Sequence, residues 1–229
     1  MKVSQVAATL YTVRQHCKTP KDIATTLAKV RKIGYPAVQL SGMGPIEEAE
    51  LVKMIEGEGL VCCATHEKTQ QILDEPSAVV ERLQKLNCRY TAVPSPGGVP
   101  IGTMQEVLDY VKRIDAAGKV LADADQVLTY HNHHIEFRRV EGQLLLDLIY
   151  GKTDPRNLQG EIDTHWVQAG GGDPVAWCAK LKGRLPLLHL KDFGIEGENN
   201  RVFKEIGQGN LNWKAIVEAS DSSGCEWFI

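Results

Sequence analysis

The 229-residue sequence contains no apolar run long enough for a membrane-crossing helix, which takes about 18 residues or more. Its opening, MKVSQVAATLYTVR, lacks a long apolar core and a small-residue cleavage site, so no secretory leader is read and a cytoplasmic location is expected. There is no basic excess: the formal net charge is −3, and nothing suggests a surface that tracks nucleic-acid phosphates. None of the six cysteines (Cys17, Cys62, Cys63, Cys88, Cys178 and Cys225) belongs to a C-x-x-C pair. Several sit in apolar stretches such as LVCCAT and AWCAK. Buried free thiols in a reducing compartment are expected, rather than a zinc or disulfide framework. A glycine-rich phosphate loop is also missing after the first strand candidate, where TLYTVRQH stands.

What is present is alternation. Strand candidates VSQVAATLY, AVQLS, LVCCAT, RYTAVP, QVLTYHNH, LQGEID and LPLLHLKD are each followed by a segment with helical periodicity, and CEWFI opens an eighth strand. The first helix is predicted from Thr19 as N-cap and Pro20 at the first helical position. Ile23, Leu27, Val30 and Ile33 form its stripe, and Gly34 ends it. Pro45 is read as the start of the second helix, and TMQEVLDYVKRIDAAGKVLA as a long one. Near-continuous apolar strands joined by helices imply parallel pairing under a helical cover. Eight units fit a (β/α)8 TIM barrel of about 250 residues. A doubly wound open sheet is the runner-up, weakened by the missing phosphate loop. No composition shift divides residues 1–229, so one domain is expected. The sequence shown stops inside strand eight, so the end of that strand and the last helix are expected to lie beyond Ile229.

Residues 129–137, TYHNHHIEF, hold three histidines in four positions. On a strand, His131 and His133 share one face, about 6.6 Å apart, while Asn132 and His134 take the other. Function in a barrel collects at the C-terminal strand ends. There strand six runs into Glu161-Ile162-Asp163-Thr164-His165-Trp166, and strand seven into His189-Leu190-Lys191-Asp192. Strand three runs into Thr65-His66-Glu67 and strand one into Tyr11-Thr12-Val13-Arg14. His131, Asp163 and His189 are read as ligands of a divalent ion, since imidazole with carboxylate suits Zn²⁺, Mn²⁺ or Co²⁺ in an open site. His133 is the nearby base, and Lys191, on the face of His189, is placed to steady an oxyanion or donate a proton. His66 and Arg14 are candidate substrate-binding walls, and Trp166 a platform for a sugar ring. A solvated lysine and a barrel cap are the competing readings of Lys191 and Trp166. His16 is read as surface, and His134 as facing the helix layer.

YHNHHIEF, EIDTHWVQAGGGDP, LLHLKDFG and EIGQGNLNW, in this order, resemble the sugar phosphate isomerase/epimerase family of xylose isomerase-like TIM barrels. AVQLSG and LYTVR fit as well, so the resemblance spans the chain. It implies a divalent ion (Mn, Zn, Co or Mg) held by Glu, Asp, His and Glu from strands five to eight. Asp163 and His189 match two of these. The strand-five glutamate falls at or beside His131, with His133 the nearby alternative, and the strand-eight glutamate would lie just beyond CEWFI. Glu205 in FKEIGQGNLNW matches a rim carboxylate and is a candidate catalytic group beside His133 and Lys191. The implied activity is isomerisation or epimerisation of a sugar, sugar phosphate or cyclitol by proton transfer next to a carbonyl. A dehydratase or lyase (inosose dehydratase-like or keto-glycoside lyase-like) and a non-catalytic sugar-binding protein are the alternatives. The expected partner is a small carbohydrate, with no nucleic acid and no membrane. A homodimer is compatible with the fold, though no residue demands one.

Overall fold

The computed structural model describes residues 1–229. Eight strands form one sheet: β1 (Ala7–Thr9), β2 (Ala37–Leu40), β3 (Val61–His66), β4 (Tyr90–Val93), β5 (Val127–His131), β6 (Gln159–Asp163), β7 (Leu187–His189) and β8 (Trp227–Phe228). Each pairs in parallel with its sequence neighbours. A single parallel bridge from Val6 to Phe228 brings the last strand back to the first. The architecture is the expected (β/α)8 barrel.

Parallel neighbours need long crossovers, and helices supply them: α1 (Pro20–Ile33), α2 (Glu48–Gly57), α3 (Thr69–Asp74), α4 (Pro76–Lys85), α5 (Met104–Ala122), α6 (Leu145–Gly151), α7 (Thr164–Ala169), α8 (Pro174–Lys180) and α9 (Trp213–Ser222). Local sequence sets their ends. Thr19 and Asp22 satisfy each other's backbone N–H groups at the start of α1, and Pro20 occupies the first turn, where no N–H is missed. Gly34 ends the helix at φ +116°, a conformation that excludes most side chains. Thr103 and Glu106 repeat the reciprocal cap on α5.

The strands carry two different faces. Outward residues such as Val38, Leu128, Tyr130, Ile162 and Leu188 join the helices in the large core. Inward residues start with a small apolar floor that includes Ala7, Ala37, Ala64, Val127 and Leu187. Because side chains alternate, positions two or four residues further along each strand also face inward. These positions include Thr9, Gln39, His66, Thr129, His131, Glu161 with Asp163, and His189. The barrel is therefore apolar at its base and ionisable at its C-terminal mouth.

Several elements differ from the sequence expectation. The first strand is narrower than VSQVAATLY, with 3-10 turns at Val3–Gln5 and Leu10–His16 on either side. The second helix starts at Glu48, not Pro45, because the Gly44 N–H is tied to the Cys17 carbonyl at 2.7 Å and holds that segment against the first turn. Strand six ends at Asp163, whose carboxylate caps α7 through the Trp166 N–H at 3.0 Å, so Thr164–Ala169 is helical. Two antiparallel hairpins, Arg139–Val140 with Gln143–Leu144 and Asp192–Glu196 with Asn200–Lys204, were not anticipated. All six cysteines are free and buried, as their apolar context implies. No helix is long and apolar enough to cross a membrane.

Phe228 is fully buried where the barrel closes, whereas Ile33 on α1 is 74% exposed. Urea unfolding should show Phe228→Ala losing about 3–5 kcal/mol and Ile33→Ala changing by about 0.5 kcal/mol or less. Equal small losses would mean that the last strand does not close the core.

Candidate metal centre

The C-terminal ends of β3, β5 and β7 deliver His66, His131 and His189 to one point above the apolar floor, and β6 delivers Glu161. One ligand atom from each of these four residues lies within 4.8 Å of all the others. The Glu161 carboxylate is at the middle. One oxygen is 2.6 Å from His66 Nε2 and 3.3 Å from His131 Nδ1, and the other is 3.3 Å from His189 Nε2. Gln39 completes the ring. Its amide nitrogen donates to Glu161 at 2.5 Å, and its carbonyl oxygen accepts from His189 Nε2 at 3.0 Å. Ser41 Oγ steadies the far nitrogen of His66 at 3.3 Å. Asn132, fully buried, pairs through its amide with the backbone N–H and carbonyl of Asp163 at 2.9 and 3.5 Å. That pairing extends the β5–β6 ladder past His131 and Glu161 and fixes how far apart they stand.

Burial dominates the electrostatics. It pushes the His131 imidazolium down to about 4, with the neighbouring His189 adding to the effect, and it lowers His189 too. His133 falls to about 3 through burial, His131 and Lys191. Burial acts on Glu161 in the opposite sense, but His189, His66 and His131 together outweigh it and hold the carboxyl well below its usual range. A carboxylate held ionised beside imidazoles whose proton affinity is lowered, as for His131 and His189, is the kind of donor set a divalent cation needs. His131 Nδ1 is buried, has no hydrogen-bond partner and faces the carboxylate. An orphaned imidazole nitrogen beside a buried carboxylate fits a metal ligand better than a structural histidine.

The other residues expected at the site are distributed around this group. Asp163 stands next to it, not in it. One oxygen caps α7, and the other meets Lys191 Nζ at 3.3 Å and lies 3.8 Å from His131 Nε2. His133 lies 5.0 Å from the His131 ring, and with Lys191 it lines the open cleft of ≈ 430 Å³ above the centre. His66 lines that cleft as well, but its Nε2 points at Glu161. Trp166 sits beyond the cleft against the rings of His133 and His134. Arg14 is exposed, stacked over Tyr11 and bonded to the Tyr11 carbonyl, and is not a cleft wall. Glu205 is exposed on the loop after the second hairpin, outside the cleft. His16 is exposed, as expected, and His134 is exposed at the cleft edge with its ring against Trp166 of α7. Two central residues were missed by the sequence reading, Glu161 and Gln39. Period-two alternation puts Glu161 on the same face as Asp163. Gln39 could have been noticed as the one polar residue in an otherwise apolar strand.

The chain matches no protein-family model. It is 26% identical over 145 residues to an inosose dehydratase of Geobacillus thermodenitrificans, a match covering 57% of this chain and 48% of that protein. It is 27% identical over 119 residues to an inosose dehydratase of Clostridium tetani, covering 52% and 38%. The matches thus span about half or less of these relatives' length. Among solved structures, a sugar phosphate isomerase/epimerase from Parabacteroides distasonis superposes with a TM-score of 0.83 at 21% identity, over 100% of this chain and 86% of that one. Xylose isomerase-like proteins share the same barrel, so the chain has the xylose isomerase-like TIM fold.

In the metal-free protein His131 is held near 4 by burial, against 6.5 when exposed. The unfolded chain takes up that proton first, so stability is complete above about pH 6.5 and is lost as pH falls toward 4. Urea unfolding across this window should show a loss of up to about 1.4 kcal/mol per pH unit, shallower in His131→Asn. A slope identical in the two proteins would show that this imidazole is not buried neutral.

Proposed function

We propose that the chain is a metal-dependent carbohydrate enzyme that moves a proton on the carbon next to a carbonyl, isomerising or epimerising a sugar, sugar phosphate or cyclitol. The observation behind this reading is the convergence of His66, His131, Glu161 and His189 within 4.8 Å beneath an open cleft. A divalent ion (Mn, Zn, Co or Mg) held by these four would polarise a substrate carbonyl and favour loss of the adjacent proton. Gln39 orients two of the four side chains, the kind of supporting contact that sets ligand geometry.

The remaining cleft residues suit the proton's path. His133 is kept neutral by burial and lines the cleft, where its ring is the imidazole placed to accept a proton from carbon. Lys191 supplies an ammonium at the cleft wall, anchored by Asp163, where it can steady a developing oxyanion. In this reading Asp163 is a positioning residue, and neither Arg14 nor Glu205 takes part.

A second reading is favoured by the two relatives, both inosose dehydratases. The first proton transfer is the same. The neighbouring C–O bond then breaks, Lys191 donates a proton to the departing hydroxyl, and water and a conjugated enone result. Incubating the Mn²⁺-loaded protein with ketoses and inososes in D₂O separates the two readings. Deuterium at the carbon beside the carbonyl with a new sugar in the NMR spectrum marks isomerisation or epimerisation, whereas loss of water with a new ultraviolet band marks elimination. In either case His133→Asn should slow exchange about 100-fold or more while metal binding persists. No exchange with any substrate in protein shown to bind metal would sink the enzymatic reading and leave sugar binding.

A further inference from the structure

Beyond the cleft lies a second cavity of ≈ 490 Å³, lined by His134, His165, Trp166, Ala169, Arg201, Val202 and Phe203. Four of these seven residues have rings. His165 packs against Phe203 at 4.3 Å and against Trp166 at 4.9 Å, and His134 lies 5.1 Å from Trp166. The second hairpin builds the outer wall. In its register Phe193 faces Phe203 and Ile195 faces Arg201, so Phe203 and Arg201 share a face. Phe203 is 59% exposed there, and Ile195 and Ile206 beside it are exposed too. The cavity adjoins the cleft: His134 lines both, and the cleft residue Lys191 presents its ammonium to the Trp166 and Phe203 rings at 4.9 and 4.8 Å.

We infer that this cavity is a subsite for a flat, apolar ring carried by the substrate, so that the preferred substrate is a polyol joined to an aromatic or unsaturated ring and not a free monosaccharide. The inference rests on the carbohydrate reading of the cleft. The composition of the cavity decides between ring types. A second sugar ring brings several hydroxyl donors that need acceptors, but no Asp, Glu, Asn, Gln, Ser or Thr lines the cavity. His165 Nδ1 is already engaged by the Asp192 carbonyl at 2.9 Å. What the cavity offers is ring faces, with the Arg201 guanidinium as its donor. Such a wall stacks an aromatic ring and donates to an ether or carbonyl oxygen on it. The cleft alone has ample volume for a single sugar, so the adjoining space serves what is attached to it.

The test is a binding measurement that needs no turnover. Methyl and phenyl β-glycosides of glucose, galactose and mannose are titrated against the Mn²⁺-loaded protein by calorimetry, alongside free ketoses. In at least one pair the phenyl member should bind tenfold or more tightly. Phe203→Ala should bring that value to within threefold of the methyl member, Phe203→Tyr should keep the gain, and both variants should bind Mn²⁺ as the wild type does. Phe203 is largely exposed, so neither change threatens folding. Equal binding of phenyl and methyl members in every pair, or a phenyl advantage that survives Phe203→Ala, overturns the inference. If ketoses and methyl glycosides bind without a phenyl preference, the inference fails alone. If no sugar binds, the carbohydrate reading fails with it.

Discussion

Glu161 has no accessible surface, yet its carboxylate is ionised, and no Lys or Arg touches it. Removing such a charge from water is costly unless hydrogen bonds and partners replace the lost hydration. Here the replacement comes from side chains on four other strands: Gln39 on β2, His66 on β3, His131 on β5 and His189 on β7. A residue buried in this way makes the barrel mouth a single unit, since each partner must arrive from a different strand at the same height. These side chains satisfy the carboxylate only in part, and a divalent cation is the partner that would complete it. The same group thus explains why the centre is polar at all and what it is suited to hold.

The closed sheet makes that convergence possible. Register sets His131 beside Glu161 and His189 beside Asp163, and the small inward residues at the base leave the upper positions room to meet. Asn132 adds a side-chain rung above the last backbone pair of β5 and β6. On the neighbouring side, Asp163 spends its carboxylate on the N-terminus of α7 and on Lys191, tying the helix that carries Trp166 to the cleft wall. The second hairpin is held down differently. Asp192, buried, accepts from the N–H groups of Gly207 and Gly209 and from the Trp213 indole at 2.8, 3.0 and 2.7 Å, gathering the loop onto α9. That anchor fixes the hairpin that carries Phe203.

The barrel was legible because its strands, buried on both faces, interrupt helical periodicity with apolar runs that no other feature imitates. Thr19-Pro20 and Gly34 marked α1 because capping chemistry is local. The second hairpin was not legible: DFGIE and NRVFK are short and of mixed polarity, the second largely exposed, and tertiary contact with α7 gives them a role. The sequence reading set its candidates at the C-terminal strand ends, and the structure brings two of its expected ligands, His131 and His189, into one group. Choosing between Glu161 and Asp163 required knowing where β6 ends. Both face inward, but Asp163 is the last strand residue and is drawn off to cap the helix that follows. Gln39 was hidden for a related reason, since its meaning comes from partners more than twenty residues away in sequence.

The geometry therefore makes a choice that family resemblance did not. The resemblance favoured Asp163 as the acidic ligand, whereas the contacts favour Glu161, with Asp163 as the support of Lys191. Mn²⁺ titration of the wild type, Glu161→Gln and Asp163→Asn, followed by calorimetry, tests this most directly. The account predicts one ion per chain, a loss of affinity of about 100-fold or more in Glu161→Gln, and a loss of about tenfold or less in Asp163→Asn. Retention of tight binding in Glu161→Gln together with its abolition in Asp163→Asn would contradict it.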